Sequence, residues 1–221
     1  MTPSAVIFDF DGVLADSLDS HLEAWVLATR EVFRQEILPP TELSGYSTKT
    51  IAHLISKRLG QPTLGNTLAK AKERMLGDLV GTVKLYPGVK ETLTSLLDRS
   101  VLFAIGSNSS RPFVMATLSA HRLEVATVVT ASDVTRHKPA PDIFWRCSNM
   151  MNIAPSDRGR ILVFEDSPHG IEAAKAASML PIGVTTAVDA GRLESAGARL
   201  TVSSVAAAYD AGWFFQINEL T

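Results

Sequence analysis

The sequence predicts an α/β protein built on a Rossmann-like, doubly wound parallel sheet, with an all-helical module inserted after the first strand. Three observations predict this. Short apolar runs rich in Val, Ile and Phe recur along the chain, segments of helical spacing alternate with the later ones, and residues 16–83 break the alternation with helix-like sequence alone. Runs that are apolar on both faces suit parallel strands buried under helices. The expected division is a core from residues 1–15 and 84–221 and a cap from 16–83.

Taken in order, "AVIFDF" (5–10) reads as the first strand. Leu18, Leu22, Trp25, Thr29, Val32 and Phe33 then follow the spacing of an amphipathic helix that Asp16 or Ser17 could cap. More helix-like sequence occupies 49–59 and 63–80. The first and second strands are thus separated by about 90 residues, more than a structureless loop should span. "LYPG" (85–88) reads as the turn back into the core. From there helices at 88–98, 111–121, 141–151 and 169–178 alternate with strands at 101–107, 125–131, 161–166 and 180–186.

With 221 residues, 46% of them hydrophobic, the chain can bury a sizeable core. A net charge of −2 without blocks of like charge gives no footprint for nucleic acid or an anionic membrane. Cys147, the one cysteine, excludes an intrachain disulfide and reads as a core thiol. The N-terminus lacks a basic segment, and no apolar run reaches the ~18 residues of a membrane span. A cytoplasmic monomer with a small, soluble partner is the expectation. The cap cations Lys49, Lys57, Arg58, Lys70, Lys72 and Arg74 are mostly expected on solvated helix faces, without assignment of those that reach the site.

Polar residues stand at the ends of several predicted strands, and ligands bind at such ends in open α/β sheets. Asp9 and Asp11 follow the first strand, Ser107 and Asn108 the second, and Glu165 and Asp166 close "ILVFED", while Lys138 lies in the loop "TRHKPAPD". Each alone has a plain structural reading: an Asx turn, an N-cap cluster, a solvated lysine, acids capping the helix near Pro168. Together, the carboxylates at one sheet edge repel unless a cation intervenes. Oxygen donors without a second cysteine or a histidine pair select a hard ion, and Mg²⁺ held by few protein ligands shares its sphere with a substrate phosphate. Ser107 and Asn108, at the expected start of a helix, offer donors to an anion. In an extended strand Asp9 and Asp11 point to one face, where their repulsion favours one ionised nucleophile and one protonated acid.

The ordered set "DFDGVLADS", "GSN", "HKPAPDIF" and "FEDSPHGIEAAKAA" resembles the four motifs of the haloacid dehalogenase-like hydrolases, in the subgroup with a small helical cap. The resemblance implies Asp9 as nucleophile, and Asp11 as general acid/base whose main-chain carbonyl also ligates Mg²⁺. It implies Ser107 and Asn108 as phosphate contacts, Lys138 as the lysine that steadies the nucleophile and the phosphoryl group, and Glu165 and Asp166 as the remaining metal acids. It also implies a mobile cap with hinges near 14–17 and 81–86. Within the family the pattern is similar to beta-phosphoglucomutase and sugar-phosphate phosphatases, in which His21 and Trp25 match residues of the first cap helix; the resemblance implies that His21 is a site residue that helps set the position of the acid/base. Thr48 stands where the mutase has an arginine for a second phosphate, and Ser110 where it has a lysine.

The resemblance therefore implies a Mg²⁺-dependent phosphatase of a small phosphorylated metabolite, a sugar or polyol phosphate, with a phosphomutase as the alternative. Carbon–halogen hydrolysis is disfavoured because Asp11 is present. An aspartyl-phosphate receiver is disfavoured by length and by the inserted module. An idle scaffold is disfavoured by the intact acids and lysine.

Overall fold

A computed structural model describes residues 2–40, 43 and 45–215 of the chain. Met1 and residues 216–221 of the expected core, and residues 41, 42 and 44 of the expected cap, lie outside the described residues.

Strand β1 (Ala5–Phe8) opens the sheet, and the chain leaves it through the two-residue strand β2 (Ala15–Asp16) into helices α1 (Leu18–Phe33), α2 (Thr48–Arg58) and α3 (Gly65–Asp78). It returns through β3 (Lys84–Leu85), which pairs antiparallel with β2. There follow α4 (Val89–Asp98), β4 (Phe103–Gly106), α5 (Arg111–Ala120), β5 (Val128–Val129), α6 (Asp142–Met150) and β6 (Ile161–Glu165). The described chain continues through α7 (Pro168–Ala176), β7 (Leu180–Val184), α8 (Ala190–Ala196), β8 (Leu200–Val202) and α9 (Val205–Asp210). The predicted strands and helices all form, with ends shifted by no more than three residues. The β2–β3 ribbon, β8, α8 and α9 had no prediction; each is too short to show a clear period.

The sheet is parallel throughout, in the order β5-β4-β1-β6-β7-β8. Its strands are buried on both faces except the half-buried edge strand β8. Val6, Phe8, Leu162 and Phe164 pack into one apolar cluster, while Ala5, Ile7, Ile161 and Val163 pack into the other. At ~25 cal/mol per Å² of buried apolar surface, such double burial is what holds a parallel sheet. The order reverses at β1, so the carboxyl ends of β1, β4 and β6 line a topological switch point.

Helices α1 to α3 close on a cluster of their own around Trp25, Ala28, Ile51, Ile55, Leu68 and Ala71. Ala24 and Leu76 join the main core instead, so the module rests on the sheet domain through α1 and α3. Leu18, expected on the apolar face of α1, is exposed, because the helix begins there before its buried stripe is established. Cys147 is buried, and burial pushes its thiol up to about 12, as suits a core thiol. Among the described residues no helix is long and apolar enough to cross a membrane.

Candidate active site

Asp9 follows the last residue of β1, and its amide donates to Phe164 O at 2.9 Å, fixing the chain where the strand stops. Gly12 then takes φ +78°, and a Cβ there would fall 1.8 Å from Asp166 Oδ2. Only glycine lets the turn pass the Asp166 carboxylate. The two paired acids consequently do not share a face, as an extended strand would require. Asp9 turns toward Lys138, Glu165 and Asp166, and Asp11 turns toward the serines and His21.

Lys138 Nζ donates to Asp9 Oδ1 at 2.6 Å and also to Glu165 Oε1. Both contacts hold the lysine well above its ordinary range despite its burial. Glu165 Oε2 accepts from the Ser167 amide and hydroxyl, and Ser167 Oγ in turn accepts from the Gly170 amide. The cap of α7 is therefore Ser167, and the acids before it are not capping groups. Asp9, Glu165 and Asp166 each bring one carboxylate oxygen within 4.8 Å of the others.

Burial, and then the Glu165 charge, push the Asp9 carboxyl up to about 8. The same two causes raise Asp166. Lys138 alone does not balance the three acids, and an oxygen-only cluster with excess negative charge fits a hard divalent cation such as Mg²⁺. The Asp11 carboxylate is not in this cluster.

Asp11 Oδ1 accepts from Ser17 Oγ at 2.6 Å and from His21 Nε2 at 3.0 Å, and its Oδ2 accepts from Ser109 Oγ at 2.5 Å and Ser107 Oγ at 3.3 Å. Against the upward pull of burial, His21, Ser109 and Ser17 hold this carboxyl well below its ordinary range. The two acids therefore sit in opposite surroundings: donors surround Asp11, whereas burial and Glu165 oppose charge on Asp9 and a bound cation would favour it. Ser17 occupies the N-cap position of α1 but gives its hydroxyl to Asp11.

His21 lies on α1 within reach of the sheet domain. An ionised carboxylate only accepts, so Nε2 carries the proton, and Nδ1 is left to accept from Lys72 Nζ at 2.9 Å. Lys72 also donates to Thr48 Oγ1 at 3.2 Å. It was expected on a solvated face, yet it is buried, and burial pushes it down to about 8. Lys49, Lys57, Arg58, Lys70 and Arg74 are exposed as expected.

Ser107 and Asn108 stand after β4 but do not begin the next helix, which starts at Arg111 with Ser110 at its cap. The Ser107 amide is engaged by Val129 O. Asn108 Nδ2 donates to Gly45 O at 2.6 Å, and its Oδ1 accepts from the Lys138 amide at 3.2 Å. Sequence reasoning passed over Ser109 and gave Lys72 no role at the site. Ser109 shares the "SNSS" run with its neighbours, and Lys72 has the helical spacing of Leu68 and Leu76, the signal that could have placed it on an inward face.

A model of the family described as haloacid dehalogenase-like hydrolase matches residues 6–184. The chain belongs to this family. It is 34% identical over 191 residues to fructose-1-phosphate phosphatase YqaB of Escherichia coli, covering 82% of this chain and 96% of that one. It is 27% identical over 192 residues to beta-phosphoglucomutase of Bacillus subtilis, covering 81% and 82%. Its fold matches that of a beta-phosphoglucomutase from Clostridium difficile with a TM-score of 0.80 at 22% identity, covering 97% of each chain.

Proposed function

We propose that this haloacid dehalogenase-like hydrolase is a Mg²⁺-dependent phosphatase of a small phosphorylated metabolite, a sugar or polyol phosphate, acting in the cytoplasm as a monomer. The observation that carries the reading is the Asp9–Lys138–Glu165 arrangement beside Asp166, with Asp11 held apart from it by Ser17, Ser109 and His21. The family and the sugar-phosphate phosphatases among its relatives support the substrate class.

Asp9, Glu165 and Asp166, with the main-chain carbonyl of Asp11, would hold Mg²⁺, which supplies positive charge to the phosphoryl oxygens when bound. Asp9 Oδ attacks phosphorus and becomes an aspartyl-phosphate, while Lys138 neutralises the oxygen that does not attack and a phosphoryl oxygen beside it. Asp11 handles the proton. As the Asp9–phosphorus bond forms, the ester P–O bond breaks and the departing oxygen takes a proton from the acid form of Asp11, which is favoured once a leaving-group oxygen displaces the Ser109 donor from Oδ2. In the second half-reaction the same carboxylate accepts a proton from the water that opens the aspartyl-phosphate.

The test is phosphate release from an aryl phosphate and from sugar and polyol monophosphates in the presence of Mg²⁺. Asp9→Asn is expected to abolish release, and undiminished release by that variant overturns the mechanism. One observation favours a phosphomutase as a second reading: Lys72 brings a cation to Thr48, at the position where the mutase has its arginine. Conversion of beta-glucose 1-phosphate to the 6-phosphate without net phosphate release would decide for it.

A further inference from the structure

The segment that leads into α2 touches the sheet domain at three places. Gly45 O accepts from Asn108 Nδ2. Gly45 itself, at φ +83°, lies so close to α7 that a Cβ would fall 2.8 Å from Ser167 Oγ. The Tyr46 ring sits 4.4 Å from the His169 imidazole, centroid to centroid, with the planes inclined by 59°. His169 is in the first turn of α7, the helix whose cap, Ser167, holds Glu165 Oε2.

We propose that Tyr46 and His169 form a substrate-retaining latch that holds the helical module closed over the acids. The chain enters and leaves the module through two strands of two residues each, a ribbon too short to fix the module by itself. Closure depends on contacts made elsewhere. The Gly45–Asn108 bond draws on Asn108, a residue assigned to the phosphate site, whereas the ring pair joins two side chains that the chemistry does not use. It lies beside the segment that bears Glu165 and Asp166, so closing it covers the phosphoryl site, and breaking it frees the bound substrate. Neither ring takes part in the chemistry proposed above, so the pair governs retention and leaves the bond-making steps alone.

The experiment compares Tyr46→Ala, His169→Ala, the double variant, and the ring-keeping variants Tyr46→Phe and His169→Phe. An aromatic pair is worth roughly a three- to tenfold change in an equilibrium. Each alanine variant is expected to raise KM for an aryl phosphate by about that factor without lowering kcat. The double variant should go no further, and the ring-keeping variants should match the unaltered protein. Amide exchange of residues 45–50 in the substrate-free protein should accelerate by a similar factor in the alanine variants only. Multiplicative effects in the double variant, a fall in kcat alone, or unaltered exchange overturns the latch. The exchange measurement decides the matter even if no phosphate ester is hydrolysed, which separates failure of the latch from failure of the proposed activity.

Discussion

His21 Nε2 lies 3.0 Å from Asp11 Oδ1, although His21 belongs to α1 of the helical module and Asp11 to the turn that ends the first strand of the sheet. Behind the imidazole stands Lys72 on α3, so three separate elements meet in one hydrogen-bonded line. The line has a direction. The ammonium donates to Nδ1, which keeps the ring proton on Nε2, where the Asp11 carboxylate receives it.

If the line works as a unit, its members are not additive. Lys72→Met is expected to lower kcat by roughly ten- to a hundredfold, the range for partners that orient a functional group through one hydrogen bond. His21→Asn should cost a similar factor, and the double variant little more than either. Steady-state kinetics on an aryl phosphate checks this; a product of the two single effects in the double variant would falsify the coupling.

The Lys72 side chain also sets an alkaline limit. Its proton is lost near pH 8 in the folded protein, against an ordinary value of 10.5. Activity that needs the ammonium is expected to decline as the pH passes about 8, and Lys72→Met should have no such limb. The stability sign is opposite. Between about 8 and 10.5 the unfolded chain binds a proton that the native one does not, so this group's contribution to stability rises with pH across that window. A pH–rate profile of both proteins tests the first part, and urea unfolding at pH 8 and 10 tests the second.

Asp9 behaves in the reverse sense. Its folded value of about 8 lies above the ordinary 3.8, so the native state binds the extra proton, and stability from this group is lost as the pH rises toward 8. The metal-free protein is therefore expected to melt at a lower temperature at pH 8 than at pH 6. Mg²⁺ should raise the melting temperature more at the higher pH, because it stabilises the ionised acids. Asp9→Asn should flatten both trends. A Mg²⁺ effect independent of pH would count against a metal site at these acids.

Gly170 supplies a steric test of Glu165. A Cβ at this position would meet the Glu165 carboxyl carbon at 1.8 Å. In a helix interior alanine is better than glycine by about 1 kcal/mol, so Gly170→Ala should leave helix content intact while displacing Glu165. The concentration of Mg²⁺ needed for half-maximal stabilisation is expected to rise by roughly ten- to a hundredfold. An unchanged Mg²⁺ titration, followed by thermal melting, would remove Glu165 from the metal site.

Sequence alone was enough for the alternation of strands and helices, the interruption after β1, and the convergence of Asp9, Lys138, Glu165 and Asp166. These rest on periodicity and on the rule that a parallel sheet gathers its strand ends at one edge, and both are local or topological properties. What only the tertiary structure decided is how each polar group is partnered. Gly12 turns the chain out of the strand, so Asp9 and Asp11 face different neighbours, which pull their carboxyls in opposite directions. Ser17 reads as a helix cap and gives its hydroxyl to Asp11, the Asn108 amide reaches across to Gly45, and Lys72 reads as a surface charge and lies buried behind His21. The physical reason is that burial and hydrogen bonding depend on which elements pack together. The helical module brings α1 and α3 over the sheet's edge from sequence positions that no local pattern connects to it.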